Sequence, residues 1–303
     1  MSDFRARSNA ELLDAAFEIY RRHFAIFLSA GVVAALPMAV MQYTALSMVG
    51  SRAVNAMGSI SVAALAGMQA AMLLAYLVML FITPFTEGVT VTASARAYRG
   101  EPVELADAVR AVFARPVAVL LAYWARFFLI MAGIMVVAIA GGLLVGISMV
   151  ISRTLGAIMI VPLVIVLFAV VILIWKNYFA VIPALLVEEK RVGDAMSRSK
   201  ALAEGNGWRI VLLVGIVLLV VMTFGVMLGA IARALLPGVL GALVYLFCVA
   251  LVSQFSGIVL TLLYFDLRIR KEGYDIELLA RSLDGSPVAL PPDAAPPTFP
   301  ATA

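Results

Sequence analysis

Two cations at the ends of long apolar stretches are the first residues to consider for chemistry. Arg126 and Lys176 each border a long uncharged stretch. An ionisable side chain inside a membrane span is costly, so it marks a functional site unless it reaches the membrane boundary. Aromatic residues typical of such a boundary flank both cations: Tyr123, Trp124, Trp175 and Tyr178. We therefore interpret Arg126 and Lys176 as membrane-boundary cations, with a buried functional pair as the alternative.

Polar groups and prolines inside the apolar stretches are the next candidates. Ser253, Gln254 and Ser256 lie within the last stretch, where they predict hydrogen bonds between helices or, alternatively, a path for a cargo. Pro37 and Pro162 interrupt two other stretches. These prolines are typical of kinked helices in a packed bundle, and the alternative is a pair of hinges beside a transport site.

Residue patterns that carry catalysis or metal binding are absent from the sequence. His23 is the only histidine, and it follows Arg21 and Arg22 without a cysteine nearby, which disfavours a metal site. No glycine-rich phosphate loop, nucleophile elbow or zinc-protease motif occurs. Cys248 is the only cysteine, so an intrachain disulfide is excluded. We expect a protein that is not an enzyme and has no cofactor and no metal.

The elements that carry these residues must be transmembrane helices. The 303 residues are 64% hydrophobic and 13% charged, against about 25% charged in soluble domains. Six uncharged stretches each exceed the roughly 20 residues that a helix needs to cross the hydrocarbon core. The stretches are 24–51, 53–86, 127–152, 154–175, 210–232 and 234–265. They lack the alternation of barrel strands, so the predicted fold is all-α, a polytopic membrane helical bundle of six transmembrane helices in three hairpins.

The basic residues predict the orientation in the membrane. Apart from the boundary cations Arg126 and Lys176, seventeen of the 22 lysines and arginines lie before the first stretch, in the two long loops or after the last stretch. The short turns on the other side carry one each: Arg52, Arg153 and Arg233. By the positive-inside rule, both termini are cytoplasmic. We expect contact with membrane lipids, including anionic ones. Nucleic-acid binding is disfavoured because acids such as Glu101 and Glu104 alternate with the bases.

A short pattern recurs at the start of three cytoplasmic segments. A charged residue precedes an Asp-Ala pair by three positions at Asp14, Asp107 and Asp194, and these aspartates are 93 and 87 residues apart. Two apolar stretches follow each copy, and repetition at a regular period predicts an internal repeat. Each predicted unit is an amphipathic cytoplasmic helix followed by a transmembrane hairpin. The units are about 8–86, 101–187 and 191–267.

The apolar spacing in each copy predicts the amphipathic helix. Ser8 and Glu11 have the spacing of a capping box at the start of the first copy. The predicted apolar faces are Leu13, Phe17, Tyr20, Phe24 and Phe27 in the first copy, Leu105, Val109 and Val112 in the second, and Ala195, Ser199 and Leu202 in the third. Such helices lie in the membrane interface, and the alternative is that they extend the spans into the cytoplasm.

The domain organisation follows from the same pattern. Residues 1–281 form one predicted membrane domain, and a Pro- and Ala-rich tail over 282–303 follows it. That composition cannot bury an apolar core and is typical of a disordered segment.

Two cytoplasmic segments carry a resemblance to a known family. They are 198–208 (RSKALAEGNGW), before the fifth span, and 264–275 (YFDLRIRKEGYD), after the sixth. They resemble the bacterial membrane-domain family named after the membrane region of glycerophosphoryl diester phosphodiesterase. The resemblance covers the chain up to about Arg281. It implies a multispan helical domain of the bacterial inner membrane, largely of unassigned function when it occurs alone.

Phosphodiesterase activity is not implied by this resemblance. In the fused enzymes of the family the chemistry belongs to a separate barrel domain, and such a barrel needs roughly 250 residues. Here 38 residues follow Phe265, and no catalytic position of the barrel has a counterpart. We expect no hydrolysis of glycerophosphodiesters.

The first functional hypothesis is a non-enzymatic scaffold or accessory subunit that docks a partner or organises lipid at the cytoplasmic face. The partner is a membrane or cytoplasmic protein, or a second copy of the chain. The expected docking or lipid contacts are Arg198, Lys200, Trp208, Asp266, Arg268, Arg270 and Lys271. The alternative is a transporter or channel for a small solute or lipid. A central cavity reaching Gln254 favours the alternative, whereas tight apolar packing favours the scaffold.

Overall fold

The computed structural model of the chain describes residues 6–50, 62–236 and 238–274. Within these ranges every regular element is a helix, which confirms the predicted all-α class. The helices are α1 (Asn9–Arg22), α2 (Phe24–Gly50), α3 (Val62–Arg99), α4 (Leu105–Phe113), α5 (Pro116–Ile151), α6 (Arg153–Tyr178), α7 (Val181–Val187), α8 (Val192–Ala203), α9 (Gly207–Leu235) and α10 (Gly238–Glu272). The tail predicted over 282–303 lies outside the described residues.

Six helical stretches among the described residues are long and apolar enough to cross a membrane. They are Phe24–Met41, Leu65–Arg99, Pro116–Ile151, Arg153–Val187, Gly207–Ala232 and Leu243–Glu272. The predicted membrane character and the number of long apolar helices are therefore confirmed, and the chain is a multi-pass helical membrane protein. The fourth stretch is longer than predicted because apolar sequence continues beyond Lys176 and forms α7.

The helices group into two compact units. The first comprises Met1–Pro116 and Leu213–Ala303, and the second comprises Val117–Leu212. These boundaries do not coincide with the three repeat units expected at about 8–86, 101–187 and 191–267. The repeat therefore stays a prediction about the sequence pattern.

Close helix packing defines the core of the first unit. Helix α10 packs along α2 and α3, and α2 and α10 approach each other at Gly31. A Cβ at position 31 would lie 2.2 Å from the carbonyl oxygen of Ala250. At Gly257 of α10, a Cβ would lie 2.9 Å from Cγ2 of Thr90 in α3. Only glycine allows such backbone approach, which is the usual way that membrane helices gain contact area.

Helix α1 packs on α10 through residues that lie beside the predicted apolar face. The predicted capping box is present, since Ser8 Oγ accepts from the Glu11 N–H at 3.2 Å and Glu11 Oε2 accepts from the Ser8 N–H at 2.6 Å. The buried residues of α1 are Leu12 and Ala16, whereas Phe17 of the predicted face is 59% exposed. Helix α1 carries apolar residues on two sides. The side with the small Ala16 is buried, because a small side chain permits closer packing along α10.

The second unit pairs two long helices and then bends the chain. A Cβ at Gly141 of α5 would lie 2.1 Å from Leu163 Cδ1 of α6, so these helices touch at a glycine. Most of their remaining side chains are exposed and apolar, as lipid-facing side chains are. Helix α6 ends at Tyr178, and residues 179–185 are buried, most of them in the short α7. Helix α8 packs against both α6 and α7.

Candidate functional site

The end of α10 carries the densest group of polar and aromatic contacts in the first unit. We call it the terminal cluster, since it joins the chain before α1 to the chain after α10. Its members are Arg7, Tyr98, Phe265, Asp266, Arg268, Arg270 and Tyr274.

Asp266 is the centre of the terminal cluster. Its side chain is 2% exposed, and Oδ1 accepts a hydrogen bond from the Arg7 N–H at 2.7 Å. Oδ2 accepts from Nε of Arg270, one helical turn later, at 2.9 Å. The same guanidinium donates from Nη2 to the Arg7 carbonyl at 2.8 Å. Because a buried charge is tolerable only when it is paired, these bonds stabilise the carboxylate and attach the N-terminal segment to α10.

Aromatic rings enclose the second cation of the cluster. The Arg268 side chain is 8% exposed, and its Nε lies 3.3 Å from Oε2 of Glu272. Its guanidinium carbon lies 3.9 Å from the ring centroid of Tyr274. Gly273 has a φ of +65°, a conformation that glycine adopts without strain and that ends helices. This turn lets Tyr274 fold back over Arg268, which is a cation–π contact.

A short stack of rings links α10 to α3. Tyr98 stacks on Phe265 with the ring centroids 4.6 Å apart, and Phe265 stacks on Tyr274 at 5.9 Å. Arg7 lies over the Tyr98 ring at 5.8 Å. The cluster can therefore hold three parts of the chain together. Asp266, the acid of the cluster, is already engaged with Arg270 and the Arg7 N–H, so the cluster does not resemble a nucleophile with a base.

In the second unit, a hydroxyl group holds the break between α6 and α7. The Ser199 side chain of α8 is buried, and it donates to the Asn177 carbonyl at 2.9 Å. It also accepts from the Ala180 N–H at 3.1 Å. Backbone groups at a helix break lose their helical partners and must be paired elsewhere. Ser199 supplies both partners, so it fixes α8 against the break.

An ion pair at Glu188 holds the C-terminal end of α7. The Glu188 side chain is 9% exposed, and Nε of Arg198 lies 3.0 Å from each of its two carboxylate oxygens. Lys190 Nζ lies 3.5 Å from Oε2 of the same carboxylate. Arg198 is thus engaged within the protein. Lys200 is exposed at the end of α8, and Trp208 at the start of α9 is 77% exposed.

A line of hydroxyl groups runs between α3 and α10. Thr86, Thr90 and Ser94 are spaced by one turn along α3 and are buried. Each bonds to a carbonyl of its own helix; the Thr90 hydroxyl, for example, lies 2.9 Å from the Thr86 carbonyl. The Thr90 hydroxyl also contacts Oε1 of Gln254. We call Thr86, Thr90, Ser94 and Gln254 the hydroxyl seam, and it agrees with the interhelical hydrogen bonding predicted for Gln254.

Helix α4 is held by a partly exposed ion pair. Arg96 Nη1 lies 2.8 Å from Oδ2 of Asp107, and Arg110 Nη1 lies 3.2 Å from Oδ1. The hydrogen bond from Arg96 lowers the pKa of Asp107 below its ordinary value, and the charges of both arginines act in the same direction. Phe113 at the end of α4 stacks on Phe85 with the ring centroids 4.8 Å apart.

The two predicted boundary cations differ in their surroundings. Arg126 is 9% exposed, and its guanidinium carbon lies 5.3 Å from the ring centroid of Tyr123. Lys176 is partly exposed, and its Nζ would lie 3.0 Å from a Cβ at Gly207. The aromatic neighbour expected for Arg126 is therefore present, while the approach of Lys176 to the start of α9 had no signal in the spacing.

The expected docking residues separate into buried and exposed groups. Asp266 and Arg268, which were expected to be docking or lipid contacts, are buried within the terminal cluster. Interleaved acids and bases looked like a solvated surface, and the sequence spacing did not reveal that Arg7 and Tyr98 come close to them. Tyr98, Arg7 and Glu188 are the contacts that sequence reasoning missed. Lys200, Trp208 and Lys271 are exposed.

The described residues contain no group of three or more His, Cys, Asp or Glu side chains placed to hold a metal ion.

Burial and the neighbouring Arg22 lower the pKa of His23, which weakens its tendency to carry a proton at neutral pH.

Comparisons with known proteins gave no match among protein-family models, curated proteins or solved structures.

Proposed function

We propose that the protein is a non-enzymatic membrane scaffold or accessory subunit, embedded in the bacterial inner membrane with both termini in the cytoplasm. Its short helices α1, α4 and α8 lie at the cytoplasmic ends of transmembrane hairpins and present surfaces to lipid or to a protein partner. The resemblance to the membrane domain of the phosphodiesterase family is part of this proposal, without the phosphodiesterase activity.

The packing of the first unit is the observation that carries the proposal. Helices α2, α3 and α10 meet through Gly31 and Gly257, where a single added carbon atom would collide. The polar groups between α3 and α10 bond to one another and to their own helices. Such tight packing favours a structural role, because a solute path needs space beside its polar groups.

Exposed residues at the start of α9 and the end of α8 are the proposed protein contact. Trp208 is 77% exposed, Lys200 is also exposed, and Asp266 and Arg268 are engaged inside the terminal cluster. Tryptophan is favoured at contacts because it buries a large area at a low entropic cost. We propose that a partner chain docks at Trp208 and Lys200.

Photocrosslinking tests this contact. A benzoylphenylalanine at position 208, in living cells, should give a discrete adduct of higher mass, and the change Lys200→Glu should weaken it. The matched control is the same probe at Val150, near the C-terminal end of α5, which is 89% exposed. The proposed topology puts this end of α5 on the side of the membrane opposite the cytoplasm. A ladder of adducts that is the same at both positions would contradict docking.

The hydroxyl seam supports a second function, transport of a small solute or lipid. Thr86, Thr90, Ser94 and Gln254 place buried polar groups between two long helices of the first unit. Flux through purified protein in liposomes that is abolished by Thr90→Val with Gln254→Leu would favour this function over the scaffold. Under the scaffold proposal, wild type and variant show the same background leak.

Orientation is tested by cysteine labelling in a Cys248→Ala background. Ser199, a natural choice from the sequence, is buried, so Ser197 is the better reporter because it is exposed two residues earlier. Under the proposed topology, cysteine at Ser8 or Ser197 reacts only after the membrane is permeabilised. Cysteine at Ile151, which is 73% exposed, reacts in intact cells. The reverse pattern would refute the cytoplasmic termini.

A further inference from the structure

An exposed group of rings and guanidinium groups lies where α1 ends and α2 begins. We call Phe17, Arg21, Arg22 and Phe24 the corner patch. Phe17 is 59% exposed and Phe24 is 41% exposed, and both arginines are exposed. Phe17 and Arg21 are four residues apart in α1, so they lie on one side of that helix. Phe24 follows the break at His23, and its ring lies edge-on to that of Tyr20 with the centroids 5.7 Å apart.

The position of the corner patch is fixed by the contacts that the neighbouring residues of α1 make with the protein. Leu12 and Ala16 are 1% and 0% exposed, and the Tyr20 hydroxyl donates to the Leu251 carbonyl of α10 at 2.7 Å. Tyr20 also stacks on Phe27, with the ring centroids 5.9 Å apart. Helix α1 cannot turn about its axis without losing these contacts. Phe17 and Arg21 are therefore held on the outer side.

Charge is unevenly distributed along α1 and makes the corner positive. The acidic residues occupy the earlier turns, and Arg21 and Arg22 occupy the last turn. Glu18 pairs with Arg22 at 3.0 Å. Among the described residues, Arg21 has no ion pair. The patch therefore presents one cation that is engaged at the surface and one that is available to an anion.

The chain next to the patch identifies the medium that it faces. Phe24 is the first residue of the apolar stretch Phe24–Met41, which is long enough to cross a membrane. Side chains one turn before such a stretch lie at the level of the lipid headgroups. Exposed aromatic rings and arginines at that level are typical of contact with phospholipid, because the rings enter the apolar layer and the guanidinium groups reach phosphate.

We propose that the corner patch binds an anionic phospholipid, with its phosphate at Arg21 and Arg22 and its glycerol and upper acyl chains against Phe17 and Phe24. This inference rests on the proposed role in organising lipid and names the lipid class and the site. A bound lipid would lie along the outer side of α1 and hold the helix in the plane of the membrane surface.

Native mass spectrometry of the delipidated full chain tests the site, with dioleoylphosphatidylglycerol as the anionic probe and dioleoylphosphatidylcholine as the neutral one. Arg21→Gln should weaken phosphatidylglycerol binding about fivefold, as expected for one basic residue near an anionic surface. Arg21→Gln with Arg22→Gln should weaken it further, with phosphatidylcholine unchanged. Phe17→Ser should weaken binding of both lipids, because it removes the contact with the acyl chains.

Arg110→Gln is the matched control, since Arg110 is a base on another short helix and its side chain is 78% exposed. Equal loss of phosphatidylglycerol in Arg110→Gln and Arg21→Gln would overturn the site, because the binding would then be diffuse. Unchanged binding in Arg21→Gln would overturn it as well. So would release of a copurified protein from Arg21→Gln with the lipid retained, which would make the patch a protein contact.

The outcome can be separated from that of the proposed function. Measurable flux in liposomes together with loss of phosphatidylglycerol in Arg21→Gln would refute the scaffold and keep the lipid site. A discrete adduct at Trp208, no flux and unchanged lipid binding in Arg21→Gln would keep the scaffold and refute the lipid site.

Discussion

The end of α10 and the break before α7 solve the same structural problem with different chemistry. Each must attach a short segment to the end of a long membrane helix. At the end of α10, a buried carboxylate receives a backbone N–H and a guanidinium. At the break before α7, a single uncharged hydroxyl joins a carbonyl and an N–H.

The difference lies in what happens when one partner is removed. A buried ion that loses its partners keeps its desolvation cost, so a charged connection is expensive to interrupt. A neutral hydroxyl leaves behind two backbone groups, which cost less than an ion. Segments attached through Asp266 should therefore be more sensitive to substitution than those attached through Ser199.

The largest predicted effect is that of Asp266→Ala. It removes two charge-assisted hydrogen bonds, leaves the Arg7 N–H without its acceptor and leaves a space where a buried side chain stood, so we expect the free energy of unfolding to fall by about 3 kcal/mol. Thermal unfolding in mild detergent, followed by loss of the monodisperse species, measures the change. Asp14→Ala is the control, because Asp14 is exposed on α1 in the same unit. An equal effect of the two substitutions would show that the buried Asp266 contributes no more to stability than an exposed aspartate.

Ser199→Ala should have a smaller effect, about 2 kcal/mol, since it leaves the Ala180 N–H and the Asn177 carbonyl without their side-chain partner. Ser197→Ala serves as the control, because this serine is exposed two residues earlier in α8. Both are measured by the same unfolding assay. If Ser199→Ala is as stable as Ser197→Ala, water or a relaxed backbone replaces the hydroxyl. The Ser199 hydroxyl would then not be what attaches α8 to the break before α7.

The helices themselves could be predicted from the sequence, but which face of a helix packs against the protein could not. Long uncharged stretches reveal membrane helices because about 20 apolar residues are needed to cross the hydrocarbon core. Ser8 and Glu11 reveal the start of a helix because the capping box joins residues only three positions apart. The sequence does not show that α1 packs on α10 through Leu12 and Ala16 and leaves Phe17 exposed, because hydrophobicity alone does not distinguish contact with α10 from contact with lipid. In a membrane both are apolar surroundings.

The candidate site was harder to predict because its contacts join distant parts of the chain. Asp266 and Arg270 are one helical turn apart, so their pairing follows from spacing. The bond from Arg7 to Asp266 connects positions 259 residues apart, and no local pattern predicts it. Alternating charges after a membrane span are typical of an exposed segment, and only the three-dimensional arrangement shows Asp266 and Arg268 inside the protein.

Gly31→Ala sharpens the comparison, since it disturbs α10 away from the terminal cluster. The added carbon atom would lie 2.2 Å from the Ala250 carbonyl oxygen. Because this neighbour is backbone, the helices must separate, at an expected cost of about 1–2 kcal/mol. Gly215→Ala on α9 is the control, as nothing lies within 4 Å of its Cβ position. Wild-type stability of Gly31→Ala would mean that α2 and α10 are not closely packed.

The smallest predicted effect concerns α4, where the connection is charged as at α10 but more exposed. Arg96 holds the pKa of Asp107 below its ordinary 3.8, so folding favours the carboxylate. The unfolded chain then binds the proton first on acidification, and the stabilisation by this pair is present above that ordinary pKa and lost as the pH falls through the lower folded-state pKa. Solvent screens the pair, so the loss should be slight.

Limited proteolysis within the loop between α3 and α4, measured from pH 6 down to about pH 3, reports this release. The wild type should become more sensitive below about pH 4, whereas Asp107→Asn should show no such step. His23→Gln is the control. Burial and Arg22 lower the pKa of His23 from 6.5, so protonation of His23 weakens the fold as the pH falls below that value. His23→Gln should remove that contribution and keep the Asp107 step. An acid step that persists in Asp107→Asn would show that the carboxylate does not hold α4, and exposure alone would not then explain why this connection is the weakest.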